Sequence, residues 1–424
     1  MMNRLNWLGK VPERWNVLKL RQILTPFSEK NHPNMPLLSV VREKGVIIRN
    51  IEDKEENHNY VPDDLSGYKL VKKGQFAMNK MKAWQGSYGI SKYDGIVSPA
   101  YFVFDINHDM NKDFFNLAIR SKVYVNYFGQ ASDGIRVGQW DLSMKRMKEI
   151  PFFLPPRSEQ DQIVKFLDWK VSCINKLISV KKKQFLCIQE FINKQYQVIS
   201  HNSHKQAKLK YYTHLSNDFF LINNNEYYKK TGMYNRGRGI FRREAILGEH
   251  MGDSSFQRIY AGCVMISGQF AWEGSAYVTT KEDEQGVASH RYYLLVPNSD
   301  VPAEYIWCFL MSDYGQMQMK LCSHGAAGRN RPLNIKELLN IYFPIPVRDK
   351  ELDSLVHNVR GLMKLRSSTL NSVRNLAELR TRIINEVITG KIDIRNIEIP
   401  EYEFVEEEID SDVTDSENEE GSEE

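Results

Sequence analysis

The 424-residue sequence predicts an α+β fold: two globular α/β domains in a pseudo-twofold repeat, separated by two long antiparallel coiled-coil helices. Three observations predict it. One block of sequence recurs at a nearly constant offset. Each copy of the block ends in a heptad-spaced stretch. Each heptad stretch follows a turn-rich segment with strand and helix signals, so the elements alternate as globular part, long helix, globular part, long helix. The boundaries this gives are 1–156 and 204–346 for the globular domains, 157–203 and 347–390 for the helices, and 391–424 for a C-terminal segment with a disordered acidic tail.

The repeat is the firmest of the three, because self-similarity at a fixed period defines the architecture before any single element does. "GQFAMNKMKAWQGSYGI" from Gly74 and "GCVMISGQFAWEGSAYV" from Gly262 both place a Trp ten residues on, at Trp84 and Trp272. Further along, Asp113 matches Glu304, and Leu142, Lys145 and Ile150 match Leu333, Lys336 and Ile341, at an offset of 191. A three-residue insertion near "TKEDEQG" reconciles the two registers. Within each copy, "GIVSPAYFVF" and "RYYLLV" are β-rich runs bounded by Gly or Pro, whereas "DFFNLAIRSKVYVNYFG" and "EYIWCFLMSDYGQMQM" carry helical spacing.

At "FFLPPRSEQDQIVKFLDWKV" a strand pattern breaks on Pro155 and Pro156 and a helix pattern begins, with Ser158 as the expected cap. From Ser158 to Ser200 there is no Gly or Pro, and Val171, Ile174, Ile178, Phe185, Ile188, Ile192 and Ile199 keep a 3-4 spacing with Lys181 and Gln195 on the seam. The counterpart is Val356, Val359, Met363, Leu370, Val373, Ala377, Ile384 and Val387, with Arg366 and Arg380 on the seam. Two such seams in one chain pair most simply with each other. At 1.5 Å per residue, helices of about 43 residues are ~65 Å long and hold two domains at a fixed spacing.

The net charge of +4 hides an asymmetry. Residues 401–424 hold 13 of the 53 acidic residues and none of the 57 basic ones, so 40 acids face 57 bases in the rest, a balance of +17. A basic body suits a phosphate backbone as partner. No apolar run reaches the length of a bilayer span, the N-terminus has no apolar signal core, and five Cys show no paired spacing, so a cytoplasmic protein without membrane contact is expected. No phosphate-binding loop, dinucleotide fingerprint or metal-ligand spacing is present, which disfavours catalysis and points to no bound metal.

The candidate contact surfaces are basic loops with interleaved aromatics and amides. The first copy offers "MNKMKAWQGS", with Lys80, Lys82, Trp84 and Gln85, and "SDGIRVGQWD", with Arg136, Gln139 and Trp140. The second offers "MYNRGRGIFRRE", with Arg236, Arg238, Arg242 and Arg243, "FAWEGS", and "SHGAAGRNRPLN", with Arg329, Asn330 and Arg331. Arg, Lys, Asn and Gln are the side chains that reach base edges, and Arg and Lys also grip phosphates. Trp84 and Trp272 read equally as core residues or as contact surface.

The opening "WLGKVPERWNVLKL", the block "NKMKAWQGSYGISKYDGIVSPAYFVF", the junction "IPFFLPPRSEQDQIVKFLD" and the ending "LRTRIINEVITGKIDIR" resemble the DNA-specificity subunit of type I restriction–modification systems. The resemblance implies two target-recognition domains, each reading one half of a bipartite site in double-stranded DNA. It implies that the helices dock two modification subunits, which carry S-adenosylmethionine and methylate adenine. Glu159, Gln160 and Ile163 at the junction are the docking residues it suggests. Restriction subunits would hydrolyse ATP with Mg and cut DNA, and the specificity subunit itself would have no cofactor and no catalytic residues. The second junction departs from the pattern, with Lys350 and Glu351 where the first has Glu159 and Gln160. Two other classes stay open: a self-sufficient DNA-modifying or DNA-cleaving enzyme, and a coiled-coil scaffold without a DNA role.

Overall fold

A computed structural model describes residues 11–42, 44–49, 62, 64–134, 140–234, 239–298, 300–325 and 331–406. The chain forms two compact units. The first comprises Met1–Leu177 and Leu376–Ile409, the second Ile178–Asn375 and Asp410–Glu424.

The first unit is built on a four-stranded antiparallel sheet, ordered Leu24–Phe27, Tyr101–Ile106, Phe76–Asn79, Tyr88–Ile90. Its central strand Phe76–Asn79 is buried throughout, so it reads as an uninterrupted apolar run rather than an alternating one. Helices Lys112–Ile119 and Lys122–Gln130 cover the sheet. The first of them begins at Asn111, whose Oδ1 accepts from the backbone N–H groups of Asp113 (2.9 Å) and Phe114 (3.1 Å). Phe76, Phe104, Phe115, Phe152, Tyr88 and Phe128 fill the interior, with Phe115 edge-on to Phe76 at 5.5 Å.

The second unit repeats this frame in the same register. Its sheet runs Thr213–Leu215, Tyr292–Pro297, Val264–Ser267, Ala276–Val278. Phe76 faces Phe104 and Ile90 in the first unit, and the duplicate positions Val264, Leu295 and Val278 face one another likewise in the second. Among the described residues, the second unit carries a five-stranded sheet that includes the long hairpin Tyr227–Tyr234 and Gly239–Leu247, where the first has two separate strand pairs, Leu38–Val41 with Gly45–Ile48 and Lys69–Val71 with Gly95–Val97.

The long helices are Arg157–His201 and Lys350–Ile388. The first starts one residue before the expected cap. The Pro156 carbonyl accepts from the N–H groups of Glu159 and Gln160, so the proline, which has no N–H to lose, opens the helix. The pairing is antiparallel. In the first unit Ile163, Phe166 and Leu167 share a core with Val387 and Ile388, and in the second Ile192, Tyr196 and Ile199 share one with Leu352, Leu355 and Val359. The compact units therefore divide at mid-helix, between Leu177 and Ile178 and between Asn375 and Leu376, and not at the ends of separate helical domains. The cause is that each half-helix completes the core of the globular part beside it.

The C-terminal segment also differs from expectation. Residues 391–406 run along the first long helix as a strap. Ile394 is buried in the first unit's core, and Ile392, Ile397 and Ile399 pack on it. The Gln162 amide donates to the Ile397 carbonyl (2.8 Å), Asn175 Nδ2 donates to the Val405 carbonyl (3.0 Å), and Lys176 pairs with Glu403 (2.9 Å). The acidic tail is thus ordered as far as residue 406; the part from 407 onward lies outside the described residues. Among the described residues no helix is long and apolar enough to cross a membrane.

Candidate nucleic-acid interface

The loops that the sequence marks separately are assembled by the fold. In the first unit, the chain turns through a short 3-10 helix, Ala83–Gln85, which ends at Gly86 with φ of 95°. That left-handed conformation is cheap only for glycine, so the turn needs Gly at this place. Above it sits Trp84, half-buried, donating its Nε1–H to the Met81 carbonyl (3.2 Å). Trp140, from the second loop, lies against it with ring centroids 5.2 Å apart. Lys80 ties the loops again through Asp141 (2.9 Å), and the Leu142 N–H donates to the Lys80 carbonyl (3.0 Å). Trp84 is therefore both core and surface: one edge closes the turn, and one face receives the neighbouring loop. Lys82 beside it is exposed, with no side-chain partner among the described residues, and Gln85 is half-buried.

The second unit builds the same corner. The turn Ala271–Glu273 ends at Gly274 with φ of 76°, and the Leu333 N–H donates to the Gly268 carbonyl (2.7 Å). Arg331 lies over the Trp272 ring, its Cζ 4.9 Å from the centroid. The hairpin joins here too: the Ser275 hydroxyl donates to the Tyr234 carbonyl (3.1 Å), at the end of the strand Tyr227–Tyr234. Arg136, Gln139, Arg236, Arg238, Arg329 and Asn330 lie outside the described residues.

Two sequence expectations change. Arg242 is 31% exposed and pairs with Asp283 (2.8 Å) and Glu282 (3.5 Å), so it fastens the hairpin to a neighbouring loop instead of reaching outward. Glu159, Gln160 and Ile163, suggested as docking residues, are only 6%, 2% and 1% exposed and face inward. Glu159 takes a two-pronged ion pair from Arg14, at 3.0 and 2.6 Å. Gln160 donates to the Pro155 carbonyl and accepts from the Asn111 N–H, both at 2.8 Å. Glu159 and Gln160 lock the helix onto the globular part, whereas Pro156, Arg157 and Ser158 of the same junction are exposed. The second unit fastens its helix by other means, Arg360 to the buried Glu304 at 2.6 Å.

The structure also gives Lys69, which the sequence does not mark, a set of partners. Lys69 donates to the Tyr101 carbonyl (2.7 Å), and Asn79, one residue before Lys80, donates to the Tyr101 hydroxyl (3.3 Å). Burial, and after it the charges of Lys30 and Lys80, holds the Lys69 ammonium below the ordinary lysine range. Crowded like charges favour a bound anion. These lysines are far apart in sequence, and no local signal joins them.

The two α+β units thus each present a tryptophan-anchored corner, with Lys82 and Gln85 beside Trp84 in the first and Arg331 over Trp272 in the second. Among the described residues no cluster of His, Cys, Asp or Glu could hold a metal ion. Residues 12–186, the first globular part with the front of the first long helix, match the family described as Type I restriction modification DNA specificity domain.

Solved structures are similar to the chain, and the first of them shares its fold. One, described as the structural basis underlying complex assembly and conformational transition of the type I R-M system, is 14% identical, covers 90% of this chain and 100% of its own, and has a TM-score of 0.56. The HsdS subunit from Thermoanaerobacter tengcongensis is 14% identical over 90% of this chain and 98% of its own, with a TM-score of 0.42. The type I restriction-modification S subunit from M. genitalium is 11% identical over 89% of this chain and 96% of its own, also at 0.42. No curated protein matches the chain.

Proposed function

We propose that this chain is the DNA sequence-recognition subunit of a type I restriction–modification complex. Each unit reads one half of a bipartite site in double-stranded DNA, and the chain docks modification and restriction subunits in the cytoplasm. The observation that carries this reading is the repetition of one corner, turn, tryptophan and pinned loop, in a unit that matches the specificity-domain family and again in its duplicate. S-adenosylmethionine, ATP and Mg belong, in this reading, to the partner subunits, and the chain performs no chemistry alone. Lys80, Lys82, Trp84, Gln85, Arg136, Gln139, Arg236, Arg238, Arg329 and Arg331 remain the proposed DNA contacts, now joined by Lys69. The +17 balance of residues 1–400 favours this reading over a scaffold without a DNA role.

Co-expression with modification subunits, followed by mapping of methylated adenines, tests it. The expected result is one bipartite motif that disappears when this chain is omitted. Methylation of the same motif without this chain, or nuclease or methyltransferase turnover by the purified chain alone that is lost on mutating it, overturns the reading.

A further inference from the structure

Trp140 and Arg331 occupy one position of the duplicated frame. They stand 191 residues apart, as do Leu142 and Leu333, two residues further on. The scaffold beneath them is the same in both units: a 3-10 turn, a left-handed glycine, and the backbone bond that pins the second loop to the first, Leu142 to Lys80 and Leu333 to Gly268. On this common frame one side chain packs against the tryptophan, and its chemistry differs. Trp140 offers an indole against Trp84, whereas Arg331 offers a guanidinium against Trp272. A position that varies on a constant frame is where two copies of one reader can acquire different selectivity.

The state of Arg331 suits reading. It is exposed and has no carboxylate partner among the described residues, in contrast to Arg242 with its two. Attraction to the ring uses the face of the guanidinium plane and leaves the N–H donors at its edge pointing outward. Held in this way, the fork loses little freedom on binding. A fork of two parallel N–H donors matches O6 and N7 of guanine in the major groove.

We propose that Arg331, clamped on Trp272, reads a guanine in the half-site of the second unit, and that Trp140 denies the first unit the same reading. Trp272 acts here as a positioning residue. The proposal rests on the DNA-reading function above and adds the base and the side chain that selects it.

The test selects bound sequences from randomised duplex DNA with the full-length chain and its Arg331→Ala, Arg331→Lys, Trp272→Ala and Trp272→Phe variants. Arg331→Ala should abolish preference at one G·C position in one half of the motif and leave every other position intact. Discrimination there should fall about 5- to 140-fold, equivalent to ~1–3 kcal/mol at 1.4 kcal/mol per tenfold. Arg331→Lys should not restore it, because an ammonium has no fork, and Trp272→Ala should blur the same position while Trp272→Phe largely preserves it. An unchanged motif with uniformly weaker binding, and a salt slope reduced by about 0.9, would make Arg331 a phosphate contact and overturn the proposal. So would relaxed selectivity spread over both halves. A wild-type chain that enriches no sequence is a separate failure, in which the DNA-reading function falls and the proposal with it.

Discussion

Lys69 carries the clearest expectation at the scale of single residues. Burial, and after it the charges of Lys30 and Lys80, disfavour its ammonium, and a bound phosphate would favour it. Lys69→Gln should weaken binding to all duplexes alike and lower the salt slope by about 0.9, as measured by titration at several salt concentrations. Asp168 is the opposite case. Burial, then the nearby charge of Asp113, raises its carboxyl above the ordinary range, so ionisation opposes folding. Stability from this group is full below the ordinary aspartate pKa of ~3.9 and is lost as pH rises through the raised value. Asp168→Asn should therefore stabilise the chain at neutral pH and make no difference in acid, as read from denaturant midpoints across pH. Neither residue was legible in the sequence, because the effect of each comes from neighbours that only the fold supplies. Arg242 shows the same limit: its neutralising partner Asp283 is 41 residues away.

Among the elements, the long helices were the most legible. Their burial follows the heptads: Ile174, Ile192 and Ile199 are buried, the other seam positions of the first helix are half-buried, and exposed residues such as Cys187 and Glu190 lie between them. One polar residue on the second seam has a partner that spacing could not name. Arg380 donates to Asn175 Oδ1 (3.0 Å), and a polar pair on an apolar seam fixes register. The strap was misread because the charge of "EYEFVEEE" outweighed the isoleucines before it. Those isoleucines carry its energetics. Ile394→Ala removes a side chain that is fully enclosed in the first unit's core and should cost ~2–5 kcal/mol, with thermal or urea unfolding as the measurement. An equally stable variant would show the strap to be superficial.

For the whole molecule, the duplication was legible and its division was not. Offsets in sequence reveal two copies but not that each half-helix is part of a core, since heptad spacing looks the same along its length. Independent cores predict independent reading. Replacing residues 206–346 with the corresponding part of a relative should change one half of the methylated motif and preserve the other, as mapping of methylated adenines will report. A change in both halves, or in neither, would contradict the division of labour.

The first unit is assembled from both sides of the second in sequence. Gly390, with φ of 71°, lies so close to the start of the chain that a Cβ there would sit 2.5 Å from Pro12. A ribosome that has made residue 177 must still make about 200 more before the closing helix half appears, roughly ten to forty seconds at ~5–20 residues per second. Throughout that interval Ile163, Phe166 and Leu167 have no helix wall to meet. The nascent chain is thus exposed to misassociation and proteolysis during translation, and any message that stops before codon 376 yields a first unit that cannot close. Translation to the end is in this way a checkpoint on the half of the protein made first.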